Sequence, residues 1–161
     1  MRGGALPPAL LAAALGFALS YAPRGSLRVC VPAFLAVALA ASFLPVQAGW
    51  EDAIFLGCWT SVVITAASVH LPGGLSRPTA LLLAVNAAVW CGAVIAAAGA
   101  PLDLAKAAPW ALLALPGAWL VGRCWGVGIK VLASWLAAVA ILGAALPTTT
   151  PTPGYVADHM E

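Results

Sequence analysis

Six apolar runs decide what this chain can fold into. They cover residues 6–22, 29–46, 53–71, 79–98, 104–121 and 126–146, and each is 17 to 21 residues long. A helix needs about 20 apolar residues, with roughly 17 as a lower bound, to cross the hydrocarbon core of a bilayer. In lipid the backbone must satisfy its own hydrogen bonds, so runs of this length are expected to be helices. The runs are separated by charges or by Pro/Gly clusters: Pro23-Arg24-Gly25, Gln47 through Asp52, Pro72-Gly73-Gly74 followed by Arg77-Pro78, Gly99-Ala100-Pro101, and Arg123. The fifth run contains Lys106, Pro109 and Pro116. It is read as one kinked span, because neighbouring helices can satisfy the carbonyl that a proline frees. Lys130 lies one turn inside the sixth run, where a lysine snorkels to the interface.

The sequence therefore predicts an all-α, polytopic membrane bundle of six transmembrane helices joined by short loops. These form one domain over residues 1–146, with a polar tail over 147–161. The tail alternates Pro and Thr up to Pro153, which favours extended, unfolded chain. Composition agrees. Only 7% of the residues are charged and 63% are hydrophobic, whereas a soluble domain carries about 25% charged residues. The net charge of +2 is small and scattered, which excludes a nucleic-acid surface, since phosphate binding needs several cations on one face. The expected surroundings are the lipid bilayer and other membrane proteins or further copies of the chain.

The few charges sort by side. Cytoplasmic loops carry the excess of Lys and Arg. With the N-terminus outside, Arg24, Arg28, Arg77, Arg123 and Lys130 all fall in cytoplasmic loops or span ends, and only Arg2 and Lys106 lie outside. Glu51, Asp52, Asp103, Asp158 and Glu161 share that outer side. Both termini are thus expected outside. The alanine-rich, lysine-poor composition points to a bacterial inner membrane. A competing reading makes residues 1–22 a removed signal peptide, because Arg2 precedes a short apolar stretch and Ser20-Tyr21-Ala22 has the small-x-small form. It would leave Pro23 as the first residue, which signal peptidases disfavour, and would place five cations outside.

Polar groups at hydrocarbon depth are the informative ones, because each needs a partner there. None is Asp or Glu, which disfavours a coupled transporter with a titrating carboxylate at the midplane. Gly57, Ser61, Thr65 and Ser68 recur at helical spacing and share one face of the third span. Asn86 lies slightly cytoplasmic of the midplane of span four. Counting the same depth along the antiparallel third span reaches Thr65, so Asn86 is expected to pair with Thr65 or a neighbouring hydroxyl, with Ser134 near the same level. This layer acts as packing glue between helices or as the floor of a small polar pocket. Small-residue pairs such as Gly16/Ser20, Ala36/Ala40 and Gly92/Ala96 favour a tight bundle over a wide channel. Trp50, Trp110, Trp119 and Trp125 fall at expected interfaces, where tryptophan anchors helices. Trp59, Trp90 and Trp135 fall near the midplane, where they fill the bundle, face lipid, or form an aromatic wall for a flat apolar ligand.

Cys30, Cys58, Cys91 and Cys124 occur singly with no CxxC, so zinc and dithiol redox motifs are absent. They read as free thiols, although Cys58 and Cys91 fall in the outer halves of adjacent spans. His70 closes span three at the interface, leaving no pair of intramembrane histidines for a haem. No catalytic constellation, cofactor motif or metal motif appears, so enzyme activity is not expected. The expected role is a non-catalytic subunit or scaffold of a membrane assembly. The alternative is a small permease or channel-like carrier for a neutral or hydrophobic solute.

Overall fold

A computed structural model describes residues 6–23, 25–47 and 49–146, and every regular element in it is helical. The tail at 147–161 and Arg24 lie outside the described residues. In chain order the elements are α1 (Leu6–Leu19), α2 (Leu27–Ser42), α3 (Glu51–Ser68), α4 (Arg77–Ala98), α5 (Pro101–Ala107), a 3-10 segment (Ala108–Leu113), α6 (Ala114–Gly122) and α7 (Gly126–Ala145). Helix α5, the 3-10 segment and α6 follow one another without a gap and form one rod. The tightening falls at Pro109, which has no N–H and crowds the carbonyl four residues back; i→i+3 bonds replace the lost geometry. The described residues therefore form six helical rods, one for each apolar run.

Three stretches are long and apolar enough to cross a membrane: Arg77–Ala98, Leu102–Gly122 and Gly126–Ala145. Helices α1 and α2 have 14 and 16 residues, about 21 and 24 Å at 1.5 Å per residue, against a hydrocarbon core of about 30 Å. Helix α3 opens with Glu51 and Asp52. The all-helical class stands, with three candidate spans in place of six.

Side-chain contacts give the directions of the rods. Asn86 meets Ser61 and Trp90 meets Gly57, so α3 and α4 run antiparallel. His70 meets Ser134 and Trp59 meets Gly143, so α3 and α7 do too. Gly16 faces Trp110 through Leu113 and Ser20 faces Gly117, so α1 runs parallel to the 3-10 segment and α6. Helix α2 lies on the outside, packed chiefly on α4.

The centre of the bundle is α1. It touches α3, α4, α5, the 3-10 segment, α6 and α7, and every residue from Leu11 to Gly16 is buried, as are Ala18 and Leu19. Helices that are apolar on all sides belong where neighbours surround them, and LPPALLAAALGFAL has no polar stripe. Residues 6–19 form the packing centre of the fold.

One end of the bundle is gathered around Tyr21. The Leu75 N–H donates to the Tyr21 carbonyl at 3.2 Å, the Tyr21 hydroxyl donates to the Gly126 carbonyl at 2.7 Å, and Lys130 Nζ stands 6.0 Å from the centre of the ring. Gly74 has φ +78°, and a Cβ there would sit 2.9 Å from the Tyr21 carbonyl oxygen. Three turns from distant parts of the sequence are pinned together, and Arg28, Arg77, Arg123 and Lys130 all sit at this end of their rods. Arg123 lies 4.4 Å above the Trp119 ring. Glu51, Asp52, Asp103 and Lys106 sit at the opposite end.

Candidate functional site

The polar layer expected on α3 and α4 is narrower in the structure than in the sequence. Asn86 Nδ2 donates to Ser61 Oγ at 2.6 Å. One turn away, Trp90 lies over Gly57 so closely that a Cβ at that glycine would intersect its ring. The antiparallel register pairs 57 with 90 and 61 with 86, which gives Asn86 the hydroxyl one turn before Thr65. Thr65 itself is fully buried, and its Oγ1 has no hydrogen-bond partner. Its carbonyl accepts a bond from Ser68 Oγ at 2.6 Å.

Ser134 does not join this layer. It is exposed, and its Oγ lies 3.2 Å from His70 Nε2. Equal depth counting assumed that each rod is centred alike. The α3/α7 register, with Trp59 opposite Gly143 and His70 opposite Ser134, instead sets Ser134 about two turns away from the Ser61 level. The layer is thus one Asn86–Ser61 bond with a buried hydroxyl beside it.

The three midplane tryptophans part company. Trp59 is buried against Gly143, with its Nε1 unpartnered and its ring edge-on to Phe55 at 5.8 Å. Trp90 covers Gly57 on the α3/α4 seam. Trp135 is 62% exposed on α7 and lines a groove with Trp110 that neither of the others reaches. They do not make one wall.

That groove, about 460 Å³, lies between α1, the α5/3-10 rod and α7. Leu10, Phe17, Trp110, Leu113 and Trp135 give it apolar walls, and Lys106 stands at its side. The sequence reading missed it, because the gap arises from how α7 meets α1 and not from any local pattern. The one usable signal was Lys106 followed a helical turn later by Trp110.

All four cysteines are free, with Cys30, Cys58 and Cys91 buried and Cys124 exposed. The Cys91 thiol donates to the Pro8 carbonyl at 3.5 Å. Cys124 has φ +64°, a left-handed conformation that turns the chain sharply between α6 and α7. Among the described residues no three His, Cys, Asp or Glu side chains come together in a way that could hold a metal ion.

Two substitutions separate the bonded from the unbonded hydroxyl. Asn86→Leu leaves Ser61 buried without its donor and should lower stability by about 0.6 to 1.7 kcal/mol, the range for interhelical bonds in membranes. Thr65→Val keeps the shape and removes an unpaired group, so it should be neutral or stabilising. Thermal unfolding in detergent is the measurement. Equal losses for the two variants would contradict this assignment.

These features define an all-helical bundle with a solid centre, three helices able to cross a membrane, and a polar pair between two of its rods. Comparison with protein-family models, with curated proteins and with solved structures finds no match for this chain.

Proposed function

We propose that the chain is a six-span integral protein of the bacterial inner membrane, with its cation-rich end in the cytoplasm and both termini outside. In this reading it serves as a non-catalytic subunit or scaffold of a membrane assembly. Three helices can cross by length and composition, and the shorter α1 need not match the bilayer, because other helices surround it and few of its residues meet lipid. Sorting of Arg28, Arg77, Arg123 and Lys130 to the end gathered around Tyr21 supports the orientation.

The observation that carries the subunit role is the filled centre. Helix α1 occupies the axis with fully buried Leu11, Leu15 and Leu19, and the groove of about 460 Å³ lies between rods, lined by α1, the α5/3-10 rod and α7. A bundle built this way offers surfaces to neighbours more readily than a path through itself. Purification in mild detergent followed by native mass spectrometry tests the role. Stoichiometric foreign subunits are expected, and a lone homo-oligomer would count against it.

The carrier reading has one observation in its favour: the buried, unpartnered Thr65 hydroxyl beside the Asn86–Ser61 pair. Solute flux in proteoliposomes that disappears with Asn86→Leu would establish it over the subunit role.

A further inference from the structure

The groove between α1, the α5/3-10 rod and α7 has a length, a chemistry and a charge pattern that together select an occupant. Along α1 it runs from Leu6 to Phe17, about 16 Å at 1.5 Å per residue. That is half of the roughly 30 Å hydrocarbon core, the depth of a single leaflet. A partner transmembrane helix spans both leaflets, about twice the length of this groove. One acyl chain needs a single leaflet.

Around Lys106, the groove's one charged lining residue, the charge is double-signed. Lys106 Nζ lies 3.3 Å from Asp103 Oδ1, the lysine side chain being 67% exposed and the aspartate 11%. Asp103 is held in place by its second oxygen, which accepts the Ala100 N–H at 2.9 Å. Lys106 is the only cation at this end of the bundle among the described residues. A solitary lysine would favour a net anionic headgroup. A lysine and an aspartate side by side complement a headgroup that carries a phosphate and an ammonium together.

We propose that this groove is a lipid site that takes one acyl chain of a zwitterionic aminoalkyl phospholipid, with its phosphate on Lys106 and its ammonium on Asp103. The chain lies against Leu10, Phe17 and Trp135, and Trp110 flanks it one turn below the lysine. The inference rests on the membrane reading above and is independent of the subunit role. Exposed ion pairs contribute little individually, so the preference over an anionic lipid is expected to be about two- to fivefold.

The test is native mass spectrometry of the full, delipidated chain titrated with phosphatidylethanolamine and phosphatidylglycerol of matched acyl length. Phosphatidylethanolamine adducts should predominate by that factor. Lys106→Ala should remove the preference and lower retention of both lipids. Asp103→Asn, which keeps an acceptor for the Ala100 N–H, should shift the preference toward phosphatidylglycerol. Circular dichroism melts that match the wild type establish that both variants fold; the wild-type competition stands without them. Equal retention of the two lipids, a phosphatidylglycerol preference in the wild type, or adducts indifferent to Lys106→Ala would overturn the proposal. So would a partner polypeptide photo-crosslinked from position 135. Lost selectivity in a chain that still fractionates with membranes overturns this inference alone, whereas a chain that does not enter membranes overturns the membrane reading as well.

Discussion

Gly92→Leu is expected to unfold the outer half of the bundle. At Gly92 α4 packs tightly on α2: a Cβ there would sit 2.6 Å from the Ala38 carbonyl oxygen and would overlap the Ala41 methyl. Both obstacles belong to the α2 backbone or are fixed to it, so no rotamer change relieves them. The two helices must separate. Overpacking a tight contact costs about 1 to 3 kcal/mol for added methylenes, and even Gly92→Ala should fall in that range. Leucine adds three more carbons and removes the α2/α4 seam, the most extensive in the molecule. Thermal unfolding in detergent should show a graded loss from Gly92→Ala to Gly92→Leu. Val89→Leu, at an exposed position one turn away, should stay within about 0.5 kcal/mol of the parent. A Gly92→Leu protein with parental melting would contradict the packing described.

Removing residues 1–22 should abolish the fold. In a bilayer the drive between helices is packing, since lipid tails are as apolar as leucine. What is lost is then the dispersion contact of a fully surrounded helix. Truncation of one buried leucine to alanine costs on the order of 2 to 5 kcal/mol, much of it from the cavity left behind. Helix α1 contributes three such leucines, Leu11, Leu15 and Leu19, each at most 1% exposed, and their combined loss reaches the whole stability of a typical domain, about 5 to 15 kcal/mol. The truncated chain should be degraded or aggregated, as read by size-exclusion chromatography of a fluorescent fusion. Intact mass of the full protein purified from membranes should include α1. A monodisperse, stable chain beginning at Pro23 would favour the signal-peptide reading.

The rods were legible in the sequence and their arrangement was only partly so. Charges and Pro/Gly clusters mark each boundary, because a proline or a string of charges cannot continue an apolar helix. The helices accordingly begin and end within a few residues of the runs. Asn86 finding a hydroxyl on α3 was legible through simple counting, because α3 and α4 are joined by a short turn that sets their register. Ser134 was not, since nothing local relates α7 to α3. Their register comes from Trp59 seating on Gly143, a contact between residues 84 apart in the chain. The central position of α1 had a trace in its lack of any polar stripe, but every run in so apolar a chain shares that trait to some degree. In the sequence Tyr21 stands out only as the middle of the small-x-small triplet Ser20-Tyr21-Ala22. Only the structure brings the Leu75 amide, the Gly126 carbonyl and Lys130 to it.

The same structure provides a native reporter for the central claim, that the chain is set in the membrane with its cation-rich end in the cytoplasm. Cys124 is exposed at that end, beside Arg123, while Cys30, Cys58 and Cys91 are each no more than 1% exposed. A membrane-impermeant maleimide should therefore attach once per chain, at Cys124, with no engineered cysteine. In sealed inverted vesicles the expected result is one label that vanishes with Cys124→Ser. Right-side-out vesicles should give no label until detergent is added. Labelling of Cys124 in intact right-side-out vesicles would reverse the topology and contradict the account.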